Sequence, residues 1–336
     1  MMKKGILLIN LGTPDSPSVK DVRKYLRAFL MDKRVIDLPF VQRWLLINLI
    51  IVPLRGPKSA KIYKQLWTEK GSPLLYYGIE LKENLQKLLG EKHHVSFAMR
   101  YQKPSIKSAF DELKKANVSE IKVIPLYPQY ASSSTGSSIE KVMDIVKNDV
   151  SIPPLSFVSS FYDLPELINA FAANGKKHLD EESYDHILFS YHGLPERHLK
   201  NGDHSNHCFA CDNCCESLSE KNHLCYRAQC FETTKHIVKT LGLSESEYTI
   251  AFQSRLETRA KDPWIKPYSD VVIADLAKKG AKKVLVFSPA FVADCLETIV
   301  EIGIEYQEIF ENNGGEKIQL VESLNGNADW LLPLCR

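Results

Sequence analysis

Eight short apolar runs recur along the chain, with helical periodicity between them, and this alternation restricts the fold more than any other feature. The runs are Gly5–Leu11, His94–Met99, Ile121–Tyr127, Leu155–Ser159, His186–Tyr191, Tyr248–Phe252, Lys283–Phe287 and Lys317–Val321. Helical spacing marks Val19–Leu30, Leu81–Leu89, Ile106–Lys115, Ser138–Val146, Leu164–His178, Thr233–Leu241 and Tyr268–Lys279. Alternation of this kind builds parallel sheets with helices on both faces. The expected class is α/β, with two similar Rossmann-like halves. The predicted division is an N-terminal domain over residues 1–163, a C-terminal domain over 164–312, and a segment 313–336 packing back on the body. Ser132 to Ser138 is the one biased run, expected to cap the helix starting near Ser138.

Length and charge narrow the function. At 336 residues the chain has room for two domains of about 150 residues each. Its net charge of +2 argues against nucleic-acid binding driven by bulk charge. No Gly-x-Gly occurs, so the dinucleotide fingerprint is missing. Gly56-Pro57-Lys58-Ser59 lacks the glycine that opens a phosphate-binding loop. Gly5 to Leu11 is too short for a signal core and precedes no small-residue cleavage site. The expected location is therefore cytoplasmic, where thiols stay reduced. Trp44 to Leu54 is apolar but too short to span a bilayer, which needs about 20 residues. Arg43, Arg55, Lys58 and Lys61 flank it. It is either a buried core helix or an exposed lip, spanning residues 36–56, that touches a membrane or a greasy ligand.

Three groups of residues could carry chemistry. His192 ends an apolar strand, and open α/β sheets bind ligands beyond the carboxyl ends of their strands. A histidine there can take a proton or ligate a metal, or it can simply bond local backbone. His186 should serve structure. After a second strand end, Glu297, Glu301 and Glu305 recur every four residues, which aligns three carboxylates on one helix face. They form either a solvated face or a row that holds a cation or conducts protons. Arg55, Lys58 and Arg100 are the basic candidates for carboxylate recognition. Six of the eight cysteines fall between Cys208 and Cys230, spaced C-x2-C-x2-C-C-x9-C-x4-C. Thiolate softness and this spacing suit zinc or an iron–sulfur cluster equally well.

Several ordered motifs resemble the ferrochelatase family, and the match covers nearly the whole chain. They are Ile9-Asn10-Leu11-Gly12-Thr13-Pro14, Pro125-Leu126-Tyr127-Pro128-Gln129-Tyr130, Ser134-Thr135-Gly136-Ser137-Ser138, Ser190-Tyr191-His192-Gly193-Leu194-Pro195, Gln253-Ser254-Arg255 and Glu322-Ser323-Leu324-Asn325-Gly326-Asn327. The resemblance implies an enzyme that inserts Fe2+ into a porphyrin, bound in a cleft between two α/β domains. It places the catalytic histidine on His192 and the essential carboxylate on Glu297, with Glu301 and Glu305 continuing a proton or iron path. It sets Arg100 and Tyr101 near the porphyrin, and Arg55 and Lys58 where propionates are held. The Trp44–Leu54 segment corresponds to a lip often linked to the membrane surface, here the inner membrane. Many members carry histidine two residues before the glutamate; this chain has Cys295, so a proton role for that histidine does not transfer. Coproporphyrin-type members usually begin Ala-Tyr-Gly. Asn10-Leu11-Gly12 stands here instead, which implies protoporphyrin IX as substrate and protohaem as product. The cysteine block, within residues 204–225, resembles the internal [2Fe–2S] insert of certain bacterial members. Cys208, Cys214, Cys215 and Cys225 are the favoured ligands, with Cys211 as the spare. A coproporphyrin enzyme, a non-catalytic haem or metal binder, and a zinc-stabilised docking element are the alternatives.

Overall fold

The structure, a computed structural model, describes residues 3–211, 213–255 and 263–336. A strand covered by helices on both faces has to be apolar on both faces. Strand β1 (Lys4–Gly12) meets that demand, being buried from Gly5 through Asn10. It lies inside a parallel sheet ordered β2-β1-β3-β4, where β2 is His93–Tyr101, β3 is Ile121–Pro125 and β4 is Leu155–Phe157. The second sheet repeats the plan as β6-β5-β7-β8, with β5 His186–His192, β6 Tyr248–Gln253, β7 Lys283–Phe287 and β8 Lys317–Leu320. Each sheet packs its own core. Leu7, Ala98, Phe110 and Val123 anchor the first, and Leu188, Ala251, Val286 and Phe310 the second. The chain therefore has two Rossmann-like α/β halves of identical strand order, and all eight expected strands are present.

The first compact unit takes in the chain up to Tyr127, Ala131–Ser160 and Asn325–Arg336; the second takes in Pro128–Tyr130 and Phe161–Leu324. The chain thus leaves the first unit at Ser160 rather than at 163. Strand β8 belongs to the second sheet, and only the residues from Asn325 onward return to the first unit. There the Asn84 side-chain amide donates to the Gly326 carbonyl at 2.8 Å, and Trp330 is buried.

Two helices begin earlier than periodicity suggests. Helix Pro73–Leu89 opens on a proline, which has no N–H to lose at a helix start. Helix Tyr226–Leu241 buries Gln229, Thr233 and Thr234, polar residues that a hydrophobic pattern cannot flag. The serine run does not cap its helix. Ser132–Gly136 forms a π turn that continues directly into helix Ser137–Val146, whose N-cap position is Gly136. No fresh helix start remains for a hydroxyl to cap, and Ser137 donates to Asp32 instead, at 2.6 Å.

The apolar segment is an exposed ridge. Helix Phe40–Leu45, π turn Leu46–Ile51 and helix Val52–Leu66 follow one another without a break. Ile47 and Val52 pack against Leu30, whereas Phe40, Val41, Trp44, Leu45, Leu49, Ile50 and Leu54 face solvent. Among the described residues no helix is long and apolar enough to cross a membrane.

Candidate functional site

In the second sheet, strand order reverses between β5 and β7, since β6 lies on one side of β5 and β7 on the other. Loops leaving such a switch point diverge to opposite faces and open a crevice beyond the strand ends. His192 ends β5, and the segment from Ser288 to Glu297 leaves β7. The topology alone thus brings both candidate motifs to one end of one sheet.

His192 is half-buried, with Nδ1 2.6 Å from the carbonyl oxygen of Gly193. A carbonyl only accepts, so Nδ1 carries a proton, and in the neutral ring the lone pair is then on Nε2. The loop has little freedom. Gly193 N donates to Gln253 O at 2.8 Å, and a Cβ on Gly193 would sit 2.7 Å from that same oxygen. The Phe291 ring, centred 6.4 Å from the imidazole, forms an apolar flank. His186 bonds Thr249 Oγ1 at 2.9 Å on the sheet, and burial lowers its pKa, consistent with a structural histidine.

Gln253, marked in the sequence only as part of a family motif, proves to be a bridge. It is the β6 register partner of His192, and its Nε2 donates to the Glu297 carbonyl at 2.8 Å. Ser190 Oγ donates to its Oε1 at 2.7 Å. The acidic row lies on a π-helix, Leu296–Tyr306, so residues four apart stay on one side although the winding is wider. Glu301 accepts from Ser254 N at 2.7 Å, Ser254 Oγ at 2.5 Å, Gln253 Nε2 at 3.1 Å and Tyr306 Oη at 3.1 Å. Ser254 reaches it from a left-handed backbone, φ 61°, which is unusual for a residue other than glycine. With all four positions taken, a proton arriving on Glu301 must turn a hydroxyl donor away. Glu305 differs. Loss of water around it, then the Glu301 and Glu308 carboxylates, raise its pKa, although it keeps an exposed edge. Burial, and after it the Glu297 charge, hold Cys295 as a neutral thiol.

The insert between helix Glu196–Gly202 and helix Tyr226–Leu241 has almost no regular structure. Asp212 within it lies outside the described residues. Polar bonds shape it. Asp203 accepts from Cys208 N at 2.6 Å, and Asn222 Nδ2 donates to Cys214 O at 3.1 Å. The Cys214 and Cys215 sulfurs are 3.4 Å apart, and those of Cys215 and Cys225 are 3.7 Å apart. Cys208 lies within hydrogen-bonding reach of Cys225, and burial pushes its thiol up to about 11. Cys211 is exposed. Among the described residues no three His, Cys, Asp or Glu side chains converge as a ready single-ion site. The thiols form a row, not a closed tetrahedron. By donor chemistry, four free thiols on one short segment are of a kind that suits a thiophilic metal group. Cys230 is fully buried in the following helix.

In the first unit, Arg100 and Tyr101 close around Asp32. The guanidinium donates to Asp32 Oδ2 at 2.6 Å and to Ser137 Oγ at 2.7 Å, and the Tyr101 phenol donates to the same Asp32 oxygen at 2.9 Å. Arg55 and Lys58 are exposed on helix Val52–Leu66, beside the apolar ridge, and among the described residues neither meets a carboxylate.

Two parallel sheets of identical order, with histidine, carboxylate and thiol groups at the strand ends of the second, define a chelatase-like α/β protein. Solved structures agree on the fold: SirB from Bacillus subtilis with Fe3+ superposes with a TM-score of 0.52 at 12% identity, covering 99% of this chain and 95% of that one. The SirB sirohydrochlorin chelatase in complex with cobalt gives 0.51, covering 99% and 93%. The ferrochelatase family model matches residues 3–335. A ferrochelatase of Legionella pneumophila (strain Corby) is 46% identical over 331 residues, 98% of this chain and 97% of the relative. One from Coxiella burnetii (strain Dugway 5J108-111) is 46% identical over 330 residues, 98% and 91%. The chain belongs to the ferrochelatase family; it is a porphyrin metal chelatase of haem biosynthesis, with ferrous iron and a porphyrin as substrates.

Proposed function

We propose that the porphyrin is protoporphyrin IX and that His192 and Glu297 carry out its metallation. The supporting observation is their common origin at the switch point of the second sheet, bridged by Gln253. Metallation requires two pyrrole protons to leave, Fe2+ to shed water and the macrocycle to bend. With Nδ1–H committed to Gly193, the Nε2 lone pair of His192 accepts the two pyrrole protons in turn, releasing the first to solvent before it takes the second. Glu297 receives the iron, and Glu301 and Glu305 extend the acidic path toward solvent. Saturated with donors, Glu301 acts chiefly as a fixed acceptor, while the raised pKa of Glu305 suits it to take up protons at the outer end. Arg100 and Tyr101 border the porphyrin, and Arg55 and Lys58 meet its propionates. In this reading the ridge from Phe40 to Leu54 rests on the inner membrane while the body stays cytoplasmic. Leu11, standing where coproporphyrin-type members carry the tyrosine of Ala-Tyr-Gly, favours protoporphyrin over coproporphyrin.

The thiol row is read as the site of a [2Fe–2S] cluster held by Cys208, Cys214, Cys215 and Cys225. When bound, such a group staples the insert; no step of metallation passes through it.

Anaerobic assays with Fe2+ and each porphyrin test the reading. His192→Ala and Glu297→Gln should each lower kcat by about a hundredfold or more. Full activity in both, or a preference for coproporphyrin, refutes the corresponding assignment.

A further inference from the structure

The mechanism leaves one buried connection unexplained. Cys225 is the N-cap residue of helix Tyr226–Leu241, and Tyr226 is its first residue. The Tyr226 phenol, buried in the protein, donates to the main-chain carbonyl of His192 at 2.9 Å. Two turns on, Thr234 Oγ1 bonds the phenol of Tyr191 at 2.8 Å. One helix thus grips two consecutive residues at the tip of β5. Its first turn is in turn fixed to the insert: Gln229 N donates to Cys225 O at 3.0 Å, and Gln229 Nε2 to His223 O at 2.7 Å. From the Cys215–Cys225 sulfur pair to the His192 carbonyl, the path runs through one peptide bond and one hydrogen bond.

We propose that Tyr226 is a positioning residue that ties His192 to the thiol row, so that disrupting the row at Cys225 displaces the histidine. Partners that orient a reacting histidine commonly matter nearly as much as the groups they hold. A one-residue lever has little slack. A shift of Cys225 moves the phenol, and the His192 carbonyl either follows or loses a buried hydrogen bond. The inference rests on reading His192 as the reacting histidine. It gives the insert a role in metallation without assigning it any chemistry.

The test uses full-length protein prepared anaerobically. Tyr226→Phe keeps the ring and removes only the hydroxyl. It should lower kcat about tenfold, leave KM for the porphyrin within about twofold, keep the metal content per chain, and move the His192 ring resonances in NMR. Cys225→Ser breaks the thiol row with Tyr226 in place, and should also move those resonances. In the double variant the shift should not exceed that of Tyr226→Phe alone, because the link is already cut. Unmoved resonances in either single variant, or additive shifts in the double variant, overturn the proposal. His192→Ala separates the two failures. If that variant is fully active while Tyr226→Phe still moves the resonances, the role of His192 is wrong and the link stands.

Discussion

Asp32 offers the most exacting test of how the first unit is held together. Its side chain is 6% exposed and that of Arg100 17%. It accepts from Arg100 Nη2, Tyr101 Oη, Ser137 Oγ and Arg34 N. Asp32→Asn keeps the shape but strands the guanidinium, whose other bonds go to the Ser137 carbonyl and hydroxyl. Breaking a buried ion pair from one side costs about 3–5 kcal/mol. The residual exposure of Arg100 and the acceptor oxygen kept by asparagine place this case near about 3 kcal/mol. For a unit of this size that lowers Tm by about 6–12 °C. Urea unfolding followed by tryptophan fluorescence reads it, because Trp44, Trp67 and Trp330 all lie in the first unit. The effect should depend on pH. Burial acts to raise the Asp32 pKa, but the hydrogen bonds from Ser137, Arg34 and Tyr101 and the Arg100 charge outweigh it, and the net shift is downward. A depressed carboxylate contributes fully above its unfolded pKa of about 3.9, and that contribution is lost as pH falls through the folded value. The gap between wild type and variant should therefore be widest at neutral pH and narrow in acid. A gap below about 1 kcal/mol at neutral pH, or one that stays constant into acid, would refute the reasoning.

Three further outcomes follow from the structure. Gly12 has φ 123°, and an added Cβ would lie 2.1 Å from the Tyr101 carbonyl oxygen, so Gly12→Ala should destabilise the first unit by about 3 kcal/mol or more in denaturant titrations. Replacing Leu49 and Leu54 together by glutamate should cut sedimentation with anionic vesicles at least about tenfold, while metallation in detergent persists; unchanged sedimentation would mean that the ridge does not touch lipid. Cys215→Ser should abolish visible absorption of the anaerobic protein, whereas Cys211→Ser should leave it intact. A colourless wild type with one zinc per chain would exclude the iron–sulfur reading.

Much of the fold was legible because parallel strands buried on both faces leave a strong mark. Gly5–Leu11 and His186–Tyr191 are almost wholly apolar, and no surface element could carry them. Helix ends were less legible. The first turns of helix Tyr226–Leu241 bury polar side chains, and an apolar pattern registers only what water excludes. The serine run looked like a cap because hydroxyls favour helix starts. Its real surroundings, Asp32 and Arg100, come from distant segments. At the site, His192 and Glu297 announced themselves by lying after strand-like runs. Gln253 and Ser254 also follow such a run and stand in a family motif, but their roles as a bridging amide and a left-handed donor have no local signature, nor has the buried phenol of Tyr226.

By itself the sequence determined the doubled α/β plan, the family and the positions of the titratable and thiol groups, since these follow from periodicity and residue chemistry along the chain. Tertiary structure decided which groups meet. Sheet order carried residues from β5, β6 and β7 to one strand end, while the fold of the insert set the Cys214, Cys215 and Cys225 sulfurs side by side and left Cys211 in solvent. Packing also turned the apolar segment outward and ran a hydrogen bond from the helix that follows the insert to the main chain of the histidine. The meeting at the strand end and the bond to the histidine depend on residues far apart in the chain, which local spacing does not encode.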